Sequence, residues 1–350
     1  MKIALLTDAW FPQVNGVVRT LNHVREELEA LGHSMLVISP QDFRTYPLPR
    51  YPEIRLAFMP GRRIRHTLDE ARPDAIHIAT EGPIGFAGRL YCARRRIPFS
   101  TSYHTQFPLY LKRYAGMPRG LTYAVFRWFH GGSQGTLVPT KSMKRELDRY
   151  RFRHVKVWTR GVNHELFHPR DRNYLPFERP IFMYVGRVAV EKNIEAFLSL
   201  DLPGTKVVVG DGPARASLER KFKKVQFLGV KHGEELACHY AAADVFVFPS
   251  LTDTFGIVML EAMASGVPVA AYPVTGPIDV VENGVSGLVD EDLHKACLEC
   301  LEIEPERCLE YSRNFTWRRC AEMFHDNLAR IDWSRARHVK PVVDQRSTTG

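Results

Sequence analysis

Nothing in the chain approaches the roughly 18 consecutive apolar residues that a membrane span requires, which argues against a spanning helix. A secretory leader is not expected either, because Met1-Lys2-Ile3-Ala4-Leu5-Leu6-Thr7-Asp8 turns acidic too early and reads as a first strand. A cytoplasmic location is therefore expected. The six cysteines are scattered, so a disulfide scaffold is not expected. Cys297, Cys300, Cys308 and Cys320 fall close together, but Cys297 and Cys300 lie inside a helical pattern with no turn glycine between them. A structural zinc site is not expected there. The Gly-x-Gly-x-x-Gly fingerprint is absent too. The loop before Asn15-Gly16-Val17 lacks it, and Gly210-Asp211-Gly212-Pro213 carries Arg215 at the third glycine position. This disfavours an NAD-dependent dehydrogenase.

Acidic charge is in the minority, leaving a formal net charge of +9 over 350 residues. Basic residues cluster at Arg62-Arg63-Ile64-Arg65, Arg94-Arg95-Arg96, Lys112-Arg113, Arg149 to Arg153 and Arg335 to Lys340. Such clusters suit anionic lipid, nucleic acid or phosphorylated substrate, or form ordinary solvated faces. A nucleic-acid partner fits the charge but explains none of the motifs below. With 45% hydrophobic and 25% charged residues the chain is globular, and its length suits two domains.

Short apolar runs alternate with helical patterns in the βαβ rhythm of a parallel, doubly wound sheet. Strands are expected at Ile3–Thr7, Met35–Ser39, Ile76–Ala79, Phe99–Ser102, Thr136–Pro139 and Val155–Thr159, with helices such as Val17–Leu31 and Ile84–Arg95 between them. A polar, Pro-containing stretch, His168 to Arg179, intervenes. The rhythm then restarts with Ile181–Val185, Lys206–Val209, Val225–Leu228, Val245–Phe248 and Val267–Ala271. The expected organisation is an N-terminal Rossmann-like domain over residues 1–170 and a second over 178–315, followed by a helix within Trp317 to Ile331 and a basic, disordered tail over 332–350. Ligands in such sheets sit at the carboxyl ends of strands, so two facing domains place the site in the cleft between them.

Residues 250–268 carry the densest signal. After the apolar run Asp244 to Pro249, the chain opens a helix at about Phe255, with Asp253 just before it and Glu261 two turns inside. A helix start offers free N–H groups and partial positive charge, and a carboxylate beside it accepts hydrogen bonds from hydroxyls. That pairing suits a ligand bearing both phosphate and sugar; an acidic cap on an ordinary helix is the plainer alternative. Gly186-Arg187 leaves a strand and Lys192 enters the next helix, two cations able to neutralise a diphosphate. The alternative is a surface Glu191/Lys192 pair. Gly16 permits close backbone approach. Gly210 belongs to a tight loop beneath a ligand. His104 projects from a strand end, where imidazole can hydrogen-bond a reacting group. Asp290-Glu291-Asp292 is formally Asp-x-Asp but reads as an acidic helix cap. Phe107 to His130 mixes aromatics and cations, including Lys112, Arg113 and Trp128, as an interfacial membrane helix does and as a core helix with basic outer residues also does.

Taken together, Phe248 to Gly256 with Glu261-Ala262-Met263-Ala264 resembles the Glu-x7-Glu signature of retaining glycosyltransferases of family 4. Asn15-Gly16-Val17, Val185-Gly186-Arg187 with Lys192, and Gly210-Asp211-Gly212-Pro213 match further segments in order, over about residues 1 to 330. Ser102 to Tyr110 and Gly161 to Pro169 look like sulfoquinovosyltransferases and related glycolipid transferases, and also occur in GDP-mannose-dependent mannosyltransferases. The resemblance implies an α/β GT-B fold, two Rossmann-like doubly wound domains facing across a cleft, with the last helix returning to the N-terminal domain. It implies that Arg187 and Lys192 bind the donor diphosphate, that Glu261 binds the ribose, and that Asp253, Thr254 and the backbone of Phe255 and Gly256 hold the hexose. Gly16 and Gly210 would line the donor site, and His104 would sit by the sugar at the reacting centre. It also implies metal-independent chemistry with no cofactor. Asp253 departs from the signature's first Glu by one methylene, which leaves the donor sugar open.

The expectation is therefore transfer of a hexosyl unit, with retention, from a nucleotide-diphosphate sugar, UDP-sugar favoured, to a lipid acceptor such as diacylglycerol. The acceptor would lie at the anionic inner face of the cell membrane, met by Arg62, Arg63, Lys112, Arg113 and Trp128. The alternatives are a GDP-mannose-dependent mannosyltransferase acting on phosphatidylinositol or a soluble glycan, and a nucleotide-sugar epimerase of the same fold.

Overall fold

Strand β1 (Lys2–Leu6) is apolar from Ile3 onward and buried on both faces, as befits the middle of a parallel sheet. In the computed structural model, which describes residues 1–13, 15–48, 51–104 and 119–337, it is followed by α1 (Gly16–Ala30), β2 (Ser34–Ile38), the hairpin β3 (Thr45–Leu48) and β4 (Tyr51–Ala57), α2 (Gly61–Ala71), β5 (Ala75–Ile78), α3 (Pro83–Arg95), β6 (Ser100–Ser102), α4 (Arg119–His130), β7 (Gly135–Val138), α5 (Lys141–Arg149) and β8 (Val155–Val157). These strands form a six-stranded sheet in the order β2-β1-β5-β6-β7-β8, parallel throughout.

A second parallel sheet follows. It is built from β9 (Ile181–Val185), α6 (Ile194–Leu198), β10 (Thr205–Val209), α7 (Arg215–Lys221), β11 (Gln226–Gly229), α8 (Gly233–Ala242), β12 (Val245–Phe248), α9 (Ile257–Ala264), β13 (Val269–Ala271), α10 (Pro277–Val280), β14 (Gly287–Val289) and α11 (Leu293–Cys300). Its order is β11-β10-β9-β12-β13-β14, so chain order reverses between β9 and β12. Loops leaving those two strands diverge there and open a crevice at their carboxyl ends.

Each sheet has an apolar core on both faces. On the N-terminal sheet, Leu21, Val24 and Leu28 of α1 pack with Trp317, Cys320 and Phe324, while Ile64, Leu68, Ile84, Tyr91 and Phe129 cover the opposite face. After α12 (Pro305–Ser312), helix α13 (Trp317–Asp326) thus lies on the N-terminal sheet against α1. The outgoing segment at Val162 and the returning segment at Phe315 run side by side, Val162 N donating to Phe315 O at 3.1 Å. A Cβ on Gly161 would stand 2.3 Å from Trp317 N, so this crossing requires glycine.

Several expectations need correction. The tail does not become structureless at Asp332: Trp333 Nε1 donates to Pro73 O at 2.9 Å and Arg337 N to Arg95 O at 2.8 Å, because Ile331 and Trp333 complete an apolar patch on the N-terminal domain. Residues 338–350 lie outside the described residues. The helix expected from Phe255 begins at Ile257, with Gly256 as its left-handed cap at φ 86°. Arg95 is not part of a solvated basic face, since it pairs with Asp69 beneath Tyr91. Asp292 caps α11 by accepting from His294 N and Lys295 N, as the acidic-cap reading anticipates. Cys297 and Cys300, Cys308, and Cys320 are shared among three separate apolar cores.

His77 on β5 is fully buried, with Ser100 Oγ 2.8 Å from Nδ1 and Ser102 Oγ 2.7 Å from Nε2. Burial, and secondarily His130, pushes its pKa down to about 3. The folded state keeps this ring neutral, whereas the unfolded chain protonates it below about 6.5. Stability therefore falls as pH drops from about 6.5 toward 3, by up to about 1.4 kcal/mol per pH unit from this group. In urea unfolding between pH 6.5 and 5, His77→Gln is expected to show a shallower dependence on pH than the parent; equal slopes would refute the burial argument.

Candidate active site

The crevice between β9 and β12 gathers most of the residues singled out from sequence. Beyond β9, Gly186 has φ +149°, and Tyr184 Oη donates to Arg187 O at 2.9 Å, fixing the loop that carries the exposed Arg187. The chain then forms a short 3-10 turn, Val190–Lys192. Lys192 Nζ stands 2.6 and 2.9 Å from the two oxygens of Asp253. This pairing differs from the Glu191/Lys192 surface pair considered as the alternative. The cation expected at a diphosphate and the carboxylate expected at a sugar are therefore in direct contact.

Gly210 has a structural reason of its own. Its Cβ would lie 1.9 Å from Gly186 O, and a Cβ on Gly212 would lie 2.4 Å from Val188 O. The loops after β9 and β10 are thus stacked backbone on backbone, with Val188 N donating to Asp211 O at 2.9 Å. Any side chain at these glycines would push apart the loop that presents Arg187.

After β12, Phe255 turns its side chain into the core, leaving its backbone to the crevice side. Gly256 cannot be replaced without strain, since a Cβ there meets the Phe248 ring at 2.9 Å and φ is positive. Thr254 Oγ1 donates to His104 O at 2.8 Å, across to the N-terminal domain. Glu261, on α9, is 1% exposed. Its carboxylate accepts from Tyr240 Oη at 2.9 Å and from Arg19 Nη2 of α1. Burial and the adjacent carboxylate hold the Tyr240 phenol well above its usual range, so it remains a donor. Glu261 likewise raises the Arg19 pKa.

The N-terminal domain meets this crevice at the carboxyl ends of its own strands. Asn15 caps α1, accepting from Val17 N and Val18 N at 3.0 Å. A Cβ on Gly16 would come within 4.0 Å of Ile257 at the start of α9, so Gly16 faces the second domain at close range. His104 follows β6 and is 8% exposed. Its Nδ1 lies 3.2 Å from Arg160 Nη2, and its Nε2 has no hydrogen-bond partner among the described residues. Burial first, then the Arg160 charge, depresses its pKa far below 6.5, so the ring is neutral. Farther along the cleft, Ser142 N at the start of α5 donates to Asp279 Oδ1 at 3.0 Å.

Arg62 and Arg63 are exposed on α2, Arg63 lying over Phe43. Trp128 is 52% exposed on α4, with the Arg89 guanidinium 3.7 Å above its ring. Lys112 and Arg113 lie outside the described residues. Of this set, the described Arg62, Arg63 and Trp128 sit on the helical layer of α2, α3 and α4, not in the crevice.

Sequence reading missed Arg19, Tyr240 and Arg160. Arg19 is one turn past Gly16 and could be suspected as the next residue on that face. Arg160 immediately precedes the Gly161-Val162-Asn163 segment. Tyr240 gives no signal, being one apolar position among several in α8.

Two parallel, doubly wound sheets in series, the second carrying the Lys192–Asp253 pair at its reversal point, make the GT-B architecture, and the comparisons supply the family. Residues 14–166 match the profile of Glycosyltransferase Family 4, and residues 179–302 that of Glycosyl transferases group 1. The chain is 33% identical to a GDP-mannose-dependent alpha-mannosyltransferase of Corynebacterium glutamicum over 83% of its own length and 76% of that protein. It is 30% identical to sulfoquinovosyl transferase SQD2 of Arabidopsis thaliana, covering 82% of this chain and 62% of that one. With an alpha-monoglucosyldiacylglycerol synthase of Streptococcus pneumoniae the identity is 28%, over 87% and 79%. Sucrose-phosphate synthase from Thermosynechococcus elongatus superposes with a TM-score of 0.74 at 22% identity, covering 93% of this chain and 97% of that one. Anabaena HepE in complex with UDP-glucose does so at 0.70 and 16%, covering 93% and 98%. The chain belongs to glycosyltransferase family 4 and is a hexosyltransferase.

Removing Arg19 leaves the Glu261 carboxylate buried with the Tyr240 hydroxyl alone. Arg19→Met is expected to cost about 1–3 kcal/mol, the penalty of an acceptor left short of its donor. Less should be lost in a Glu261→Gln background, and a double-mutant cycle in urea measures the difference. A coupling below about 0.5 kcal/mol would show that Arg19 does not support the carboxylate.

Proposed function

We propose that this enzyme moves a hexosyl unit from a nucleotide-diphosphate sugar, a UDP-sugar by preference, onto a lipid hydroxyl such as that of diacylglycerol, keeping the anomeric configuration. The observation that carries the donor half is the Lys192–Asp253 contact at the reversal point of the C-terminal sheet, with Arg187 on the loop after β9 and Glu261 on the helix after β12. Arg187 and Lys192 would take the diphosphate, with Lys192 exchanging Asp253 for phosphate oxygen. Glu261, kept in place by Arg19 and Tyr240, would accept from the ribose hydroxyls. Asp253 and the backbone at Phe255 and Gly256 would hold the hexose.

With retention taken as part of the proposal, the groups in the crevice bear on the route. A double displacement needs a free carboxylate beneath the anomeric carbon. In this reading Asp253 is taken up by the hexose hydroxyls once Lys192 turns to phosphate, and Glu261 is held by Arg19 and Tyr240. A same-face substitution fits better. The bond from anomeric carbon to phosphate oxygen breaks, the acceptor oxygen bonds to that carbon, and its proton passes to the departing phosphate oxygen. Charge growing on the diphosphate is stabilised by Arg187 and Lys192. No metal ion has a part in this scheme.

Support for a lipid acceptor comes from α4. Leu121, Val125 and Trp128, spaced four and three apart, form an exposed apolar stripe on a helix whose other face, Tyr123 and Phe129, is buried. With the exposed Arg62 and Arg63 of α2 on the same helical layer, this is the chemistry of a helix lying on anionic lipid. No helix among the described residues is long and apolar enough to cross a membrane. A second reading, transfer of mannose from GDP-mannose to phosphatidylinositol or a soluble glycan, is favoured by the 33% identity to the mannosyltransferase.

The test is transfer from labelled UDP- and GDP-sugars into total lipid extract on anionic vesicles, read by thin-layer chromatography and mass spectrometry. A new glycolipid from a UDP-sugar is expected. Product from GDP-mannose alone would favour the second reading, and donor turnover without lipid product would remove the lipid acceptor. Arg187→Ala should lower turnover by on the order of 10²–10³, the scale of one lost transition-state donor, with the fold intact by circular dichroism. Trp128→Ala should weaken flotation with anionic vesicles about tenfold or more, given about 1.5–3 kcal/mol for burying such a side chain. Unchanged flotation would argue against the stripe as the membrane contact.

A further inference from the structure

Arg160 follows β8 on the segment that leads out of the N-terminal domain, and it is 4% exposed. Its charge is solvated by the chain: Nη1 donates to Trp158 O at 2.7 Å and Thr159 O at 3.0 Å, and the guanidinium lies 4.4 Å from the Trp158 ring centre. Its Nη2 reaches His104 Nδ1 at 3.2 Å.

That contact has a direction. A guanidinium only donates, so Nδ1 accepts and carries no proton. The neutral imidazole then holds its single hydrogen on Nε2. Nε2 is buried and has no hydrogen-bond partner among the described residues. The rest of His104 is held as firmly. The Trp158 ring meets its ring edge-on at 5.8 Å, and its carbonyl accepts from Thr254 of the loop bearing Asp253. The charged and titratable groups that act on it are Arg160, His77 and His130, and none of them favours a second proton on the ring.

We propose that Arg160 is a positioning residue that fixes His104 in the Nε2–H form, making it a permanent hydrogen-bond donor to an oxygen of the transferred sugar rather than a proton-transferring acid or base. This rests on the reading that His104 stands at the donor sugar. It goes further by assigning the tautomer, the direction of the hydrogen bond and the residue that imposes both. Because Arg160 belongs to the crossing between domains, it ties the aim of His104 to the segment that joins them.

The experiment is long-range proton–nitrogen spectroscopy of the full chain labelled with ¹⁵N-histidine, the His104 signals being assigned by their loss in His104→Gln. The expected pattern is a protonated Nε2 and a bare Nδ1, unchanged from pH 6 to 8. A protonated Nδ1 in the parent protein would overturn the proposal without any variant. In Arg160→Met the tautomer should become mixed or begin to titrate. Turnover should fall tenfold or more in kcat, with donor KM changing little, and should gain a pH dependence absent from the parent. Arg160→Lys, which can still donate to Nδ1, should recover the pure Nε2–H form and part of the rate. If Arg160→Met is folded and keeps the parental tautomer and a flat pH profile, Arg160 does not position His104. Failure of the underlying reading looks different: His104→Gln would turn over at the parental rate whatever the tautomer proves to be.

Discussion

A buried carboxylate imposes the main constraint on this molecule. Glu261 is sealed from water inside α9, where an unpaired charge would cost several kcal/mol. Tyr240 supplies a neutral donor from the same domain, but the opposite charge comes from Arg19, 242 residues earlier and on α1 of the other domain. The carboxylate assigned to the ribose in the proposal is therefore held by a helix of the facing domain. Thr254 to His104 and Ser142 to Asp279 add further polar links across the same cleft.

The same economy of charge appears at Lys192 and Asp253. Each is expected to meet a different part of one donor, and each neutralises the other directly. A diphosphate would compete with Asp253 for Lys192, and a sugar hydroxyl would compete with Lys192 for Asp253. Binding then exchanges one set of charge-assisted hydrogen bonds for another instead of creating charge contacts from nothing, so the groups need little reorganisation. The shortening of the signature's first Glu to Asp253 fits this geometry, since the carboxylate already meets the ammonium with both oxygens. The glycines set the frame. Gly186 and Gly210 press backbone on backbone, which fixes the Arg187 loop with no side chain in between.

The strands of both sheets were legible because a parallel strand buried on both faces is a nearly unbroken apolar run. Ile181–Val185 and Val245–Phe248 stand where their apolar runs place them, and most other ends shift by one or two residues. The hairpin β3–β4 escaped because Pro47 interrupts the strand pattern and edge pairings tolerate proline. β14, Gly287–Val289, escaped because it opens on glycine and offers only two apolar residues, Leu288 and Val289. In the site, what sequence could supply were residues inside motifs. The partners that decide their states were invisible. Arg160 and His104 are 56 positions apart and meet only because β6 and β8 flank β7. No local pattern encodes that adjacency.

Sheet order also links the two ends of the proposed reaction. His104 ends the chain's exit from β6, and the next described element, α4, carries the apolar stripe of Leu121, Val125 and Trp128. The helix that the proposal offers to lipid is thus the next described element after the residue at the crevice. The stripe is kept on the outer surface because Thr122, Tyr123, Phe129 and His130 anchor the opposite side, His130 by its bonds to Thr101 and Glu81. A helix anchored so firmly on one side cannot turn its apolar residues inward, so their exposure is built into the packing and does not come from a loose surface. An acceptor drawn from a bilayer would then meet the enzyme on the domain that also presents His104, while the donor is held by the domain opposite. The cation that aims His104 sits on the segment joining the two.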